Sequence, residues 1–185
     1  MSALIGERAQ FVVVPAESAI HVEARSSVGP ITFGTMTVSG RIDAAFLGGA
    51  IDTQRPTSAT IMVPVASLSS GHSLYDAELR SRIDARRVPE ITAELRTITP
   101  LSPGRFRVTG ALTIQGTTRG LSGGLELSLS ADGTARVTGC QTIDIRDFAI
   151  DLPTMLMLRI FPDVTVRFHI KAVRASQDQE TGEQP

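Results

Sequence analysis

The residues able to do chemistry are few and scattered. The three histidines, His21, His72 and His169, lie far apart in the chain, and no Cys/His spacing of the zinc type accompanies them. Cys140 is the single cysteine, so no disulfide can form within the chain. On the alternating patterns described below, His21 and His169 fall at polar positions and face solvent, while His72 belongs to a loop. Asp76 and Glu78 come nearest to a paired acid and base. Two positions apart on a helix, they point in different directions, and Asp76 sits where a capping residue is needed. Arg80, Arg119 and Arg146 could converge at one end of the molecule, where guanidinium forks suit an anionic headgroup. Each could equally make a structural hydrogen bond or a surface ion pair, the commoner fate of an exposed arginine. Gly116, Gly120, Gly123 and Gly124 make no phosphate-binding loop, because no strand-to-helix transition follows them. The sequence thus offers no catalytic residue, no metal site and no cofactor motif. Function has to be sought in the surfaces that its elements build.

Those elements are mostly strands. From Arg105 to Ile114, the apolar positions Phe106, Val108, Gly110, Leu112 and Ile114 alternate with Arg107, Thr109, Ala111 and Thr113. A period of two gives one apolar face and one mostly polar face. A second arm repeats the pattern at Leu121, Gly123, Leu125, Leu127 and Leu129, with Gln115 to Gly120 as the predicted connection. Similar alternation marks strands at Ile20–Val22–Ala24, Ala59–Ile61–Val63, Ile91–Ala93–Leu95, Ala135–Val137–Ile143 and Val164–Val166–Phe168–Ile170. Phe11 to Val14 is a shorter apolar run. Between Ile31 and Ile42 the phase changes near Gly34, the mark of a bulge. One helix is predicted between His72 and Pro89, with Ser73 as N-cap, Asp76 as its capping-box partner, and Leu79 and Ile83 as a narrow apolar stripe. Met155 to Phe161 reads as a second short helix ended by Pro162. Residues 176–185 contain no apolar side chain and read as a disordered tail after a domain spanning 1–175.

At 185 residues the chain suits a single domain. A formal net charge of −1 excludes the basic field expected of a nucleic-acid binder. No apolar run is long enough to span a bilayer, and the first residues lack a signal-peptide pattern, so a soluble cytoplasmic protein is the default. About eight antiparallel strands, each polar on one side, imply an all-β sandwich or closed barrel with one or two short helices. Aromatic residues are only 4% of the chain, and Gly110, Gly123 and Gly139 at apolar positions add no volume. A barrel of this size can be packed solid or can hold one small ligand. The composition leaves both open.

Several segments, taken in order, are similar to one known family. Leu112-Thr113-Ile114-Gln115-Gly116-Thr117-Thr118-Arg119 resembles its most specific signature. Ser18 and Ile20, Gly34 and Gly40, the run Ala66 to Gly71 followed by Asp76, Leu79, Arg80 and Ser81, Pro89 to Thr92, and Arg146-Asp147-Phe148 with Ile150 resemble others. The family is the YceI-like proteins, and the resemblance covers about Phe11 to Val173. The chain departs from the family at Tyr75 and Glu78, where Arg and His are usual. What the resemblance implies is an antiparallel lipocalin-like β-barrel whose lumen holds a polyisoprenoid or a quinone-like lipid, without catalytic residues and with recurrent homodimers. On that reading the ligand-binding residues are Val22, Val38, Ile61, Val108, Leu112, Leu125, Val166 and Phe168, with Arg119 at the headgroup. The rival expectations are an enzyme acting on a lipid inside the barrel, and a packed barrel serving as a stress-response or interaction module.

Overall fold

A computed structural model describes residues 7–151, 154–155 and 158–175. β1 (Glu7–Val13) passes through a 3-10 turn at Pro15–Glu17 into β2 (Ala19–Ser26), which forms a hairpin with β3 (Gly29–Thr35). β4 (Ser39–Leu47) carries a two-residue partner, β5 (Ala50–Ile51), and β6 (Ser58–Pro64) leads through a second 3-10 turn to the helix α1 (Ser73–Arg82). Long strands follow: β7 (Glu90–Ser102), β8 (Arg105–Ile114), β9 (Thr117–Leu129) and β10 (Ala135–Asp144). The short β11 (Thr154–Met155) and the long β12 (Leu158–Arg174) complete the order. Eight of these strands close an antiparallel barrel, β1-β4-β6-β7-β8-β9-β10-β12, with β12 returning to β1 at Val12↔Val173. The β2–β3 hairpin extends the wall by pairing with β12 from Ile160 to His169. The lipocalin-like all-β barrel is therefore the fold of this chain.

Period-two patterning decides which side chains enter. Paired residues share a face of the sheet, and the register Val108↔Gly123, Gly110↔Leu121 puts both apolar sets of the β8–β9 hairpin on the inside. The turn between them is tighter than predicted. Only Gln115 and Gly116 form it, both with positive φ (53° and 75°), as a two-residue turn matched to strand twist requires. Thr117 to Gly120 already belong to β9.

Two bulges keep the inside apolar along the longest strands. In β7 the register slips between Leu95 and Thr97. Without that extra residue, Ile98 would fall on the outer face. In β12 the slip lies between Ile160 and Val164 and contains Pro162, which has no N–H to give a ladder and is tolerated at such a break. This corrects the second helix predicted from Met155 to Phe161. Leu158 to Phe161 begin β12, and Met155 pairs with Leu158 in β11. A continuous apolar run does not distinguish helix from strand, and pairing with β2 decided it. The predicted tail, 176–185, lies outside the described residues.

The antiparallel order gives the barrel two distinct ends. At one, the Phe11 and Phe46 rings pack against each other at a 59° tilt, centroids 5.4 Å apart, among Ala44, Ala135 and Ala172. At the other, Val65, Ile83, Ile114, Ile143, Phe148 and Val164 form a second buried cluster beside α1.

Candidate functional site

The barrel holds a partly open apolar cavity of about 430 Å³, with Ile83, Ile114, Ile143 and Val164 of the second cluster in its wall. Seven of the predicted residues line it: Val22, Ile61, Val108, Leu112, Leu125, Val166 and Phe168. They come from five strands and share only the inward parity. Val38 does not line the cavity. It lies in the break between β3 and β4 and is 1% exposed, packed with Val13, Phe33, Val63 and Leu68. Arg119 is also elsewhere. It pairs with Leu112 at the entry of β9, yet its side chain is exposed and donates from Nη1 to the Thr118 carbonyl at 3.0 Å.

The inward glycines do not supply the open space. A Cβ on Gly139 would stand 2.3 Å from the Phe168 ring, and one on Gly123 would stand 2.3 Å from Gln141 Oε1. At Gly110 it would meet the Glu94 carbonyl oxygen of β7 at 2.1 Å. Each missing side chain is replaced by a neighbour, so the expectation that these glycines leave volume is corrected. The cavity arises instead because Val, Ile and Leu side chains are too short to meet across the barrel.

α1 forms part of the wall. Tyr75, Glu78, Leu79, Arg82 and Ile83 line the cavity, and their spacing of 3, 4, 7 and 8 from Tyr75 is one helical face. Only Leu79 and Ile83 were legible as an apolar stripe. The charged members resemble an ordinary solvated surface, although the Tyr75–Leu79–Ile83 series would have fixed the facing side. Glu78 and Arg82 pair at 2.6 Å with side chains 27% and 38% exposed. Gln141 was also missed, although it interrupts the apolar parity of β10 between Val137 and Ile143.

The start of α1 is anchored differently from the predicted capping box. His72 is the N-cap, without a side-chain hydrogen bond. The Asp76 carboxylate reaches back to the preceding loop, accepting from Ser69 Oγ, Ser70 N and Ser70 Oγ, each at 2.7 Å. The Ser70 hydroxyl and amide and the Ser69 hydroxyl favour the ionised form and hold its pKa below the ordinary value of 3.8. The Ser69–Gly34 backbone bridge ties that loop to β3. Asp76 thus positions the helix against the barrel.

The arginines expected to converge are engaged separately. Arg80 donates to the Ala66 carbonyl, and Arg146 grips Asp144 through Nε and Nη2. That contact, led by the Arg146 side chain, lowers the Asp144 pKa and raises that of Arg146. His21 and His169 are exposed, as their parity required, and Cys140 is exposed and free. Among the described residues no group of three His, Cys, Asp or Glu side chains could hold a metal ion, and no helix is long and apolar enough to cross a membrane.

Comparison with known proteins agrees with this geometry. A family model described as a YceI-like domain matches residues 11–172. Among solved structures, Burkholderia cenocepacia BcnA is 21% identical, with a TM-score of 0.75 over 87% of this chain and 99% of that chain. A polyisoprenoid binding domain from Saccharophagus degradans, implicated in plant cell wall breakdown, is 15% identical, with a TM-score of 0.70 over 91% and 100%. The Campylobacter jejuni YCEI protein is 16% identical, with a TM-score of 0.61 over 76% and 82%. No curated protein matches. At these identities the structural likeness is one of fold.

Proposed function

The chain belongs to the YceI-like family, and on that premise we propose that it is a non-enzymatic binding or carrier protein for a long apolar molecule of the polyisoprenoid or isoprenoid-quinone type. The observation that supports this most is the lumen itself, about 430 Å³ walled by aliphatic side chains from ten strands and a helix. The cavity is partly open, so without a ligand its apolar wall stays in contact with water, which gains little there because the wall offers few hydrogen-bonding groups. An apolar chain covers that wall and contributes about 0.8 kcal/mol per buried CH₂. A packed barrel without a ligand is disfavoured by the same volume.

A catalytic reading finds little support on the wall, whose polar side chains are chiefly an internally neutralised ion pair, Gln141, Tyr75 and Thr57. The polyisoprenoid-binding description of the Saccharophagus degradans domain favours the isoprenoid class here. A homodimer and a cytoplasmic location, both suggested by the sequence reading, complete the proposal. Sedimentation velocity and cell fractionation test those two. The main test is mass spectrometry of lipid extracted from natively purified protein, with affinities measured across isoprenoid alcohols of increasing length. Affinity should rise steeply with each isoprene unit. Flat affinity, with no co-purifying lipid, would overturn the reading.

A further inference from the structure

A lumen that takes an amphiphile must meet two chemistries, and the wall is not uniform. Most of it is aliphatic. Gln141 and Thr57 interrupt it singly, and its charged part is the helical face that carries Tyr75, Glu78 and Arg82. Glu78 and Arg82 make the one ion pair on the cavity wall among the described residues, at 2.6 Å and one helical turn apart. The helix follows β6, so it lies at the same barrel end as the β8–β9 turn and the cluster around Phe148. The opposite end is filled by the Phe11–Phe46 pair. A ligand whose apolar tail points toward that end brings its polar head to the charged part of the wall.

The pair also fixes which heads are compatible. Arg82 on its own would be a phosphate site, since a guanidinium fork matches phosphate oxygens. Here one arm of the fork, Nε, already donates to the Glu78 carboxylate at 2.6 Å. An anion taken by the remaining N–H groups would sit within a few ångströms of that carboxylate, in a partly buried wall where like charges repel. A neutral head meets no such conflict. It accepts a hydrogen bond from free N–H groups of Arg82 and donates one to Glu78, with the Tyr75 hydroxyl within the same face. The exposed rim arginines, Arg80 and Arg119, do not line the cavity, and water and salt screen their charge.

We infer that the Glu78–Arg82 pair selects ligands whose polar end is neutral and both donates and accepts hydrogen bonds, such as an alcohol or a quinol, and discriminates against phosphate esters of the same chain. This inference rests on the proposed lumen binding. It makes Glu78 a specificity-determining residue, a role the sequence alone does not suggest for a carboxylate on a polar helix.

The test uses two probes, an all-trans C20 isoprenoid alcohol and its monophosphate ester, titrated against the full chain and against Glu78→Gln and Arg82→Gln. The parent protein should prefer the alcohol by at least tenfold. Glu78→Gln frees the guanidinium and should shift the alcohol-to-phosphate ratio at least tenfold toward phosphate. Arg82→Gln leaves the carboxylate unpaired and should shift it the other way. Opposite shifts cannot come from general loss of folding, which weakens both probes together. If both probes bind but the ratio does not move in either variant, the pair does not face the head and the inference fails, while lumen binding stands. A parent preference for phosphate that disappears on Arg119→Gln would place the head on the rim and also overturn it. If neither probe binds the parent, the lumen reading fails and this inference with it.

Discussion

Two neighbouring positions of β8 should respond oppositely to added bulk. Leu112 lines the cavity, partly buried. Gly110, two residues earlier on the same face, has the Glu94 carbonyl oxygen where its Cβ would go, 2.1 Å away. In Leu112→Trp the indole can turn into about 430 Å³ of apolar space. If it buries an extra ~50 Å² at ~25 cal/mol per Å², the gain is about 1 kcal/mol, enough to offset modest rotamer strain. Stability should therefore change by less than about 1 kcal/mol, while isoprenoid binding falls tenfold or more as the indole occupies ligand space. Gly110→Ala adds one methyl group, yet the obstructing atom is backbone in a paired strand and cannot swing aside. Overpacking of this kind costs about 1–3 kcal/mol. Urea melts read both variants. With slopes of about 1–3 kcal/mol per M, Gly110→Ala should lower the midpoint by roughly 1 M, and Leu112→Trp should leave it nearly in place. A Leu112→Trp protein as unstable as Gly110→Ala that still binds isoprenoid normally would show that Leu112 is packed core. The cavity argument for this strand would then be wrong.

Other perturbations separate the plug, the helix anchor and the wall. Phe11→Ala removes a 1% exposed ring packed against Phe46 and should cost about 3–5 kcal/mol in a thermal or urea melt; binding measured well below the melt should be unchanged, since the ring does not line the cavity. Asp76 has a folded-state pKa below its unfolded value, so its contribution is present above about pH 3.9 and is lost as pH falls through the folded value. Melting temperatures of the parent and Asp76→Asn should differ at neutral pH and converge below pH 3.8; a gap that persists unchanged to pH 2 would show that the anchor is not the carboxylate. Gly139→Ala pushes a methyl toward the Phe168 ring, which can swing into the lumen, so it should cost less stability than Gly110→Ala in the same urea melts while weakening binding of the longest isoprenoids.

The sequence by itself determined the alternation, and alternation was sufficient for the wall. Val22, Ile61, Val108, Leu112, Leu125, Val166 and Phe168 face inward because a strand's side chains switch sides every residue and only one side of each strand is apolar. Alternation is local, so it says nothing about depth along the barrel axis. Val38 has the same chemistry but lies outside the strands, in the break between β3 and β4, where it is sealed in a cluster. Register is likewise non-local. Pro162 looked like a helix end until pairing with β2 absorbed it in a bulge. The inward glycines looked like empty volume until Gln141, Phe168 and the β7 backbone were brought against them. The helix shows the division most clearly. Its sequence prescribes Glu78 and Arg82 one turn apart and ready to pair, but an isolated helix would present that pair to water. Only the closed barrel, with Asp76 tying the helix start to the loop bonded to β3, turns that face onto the lumen.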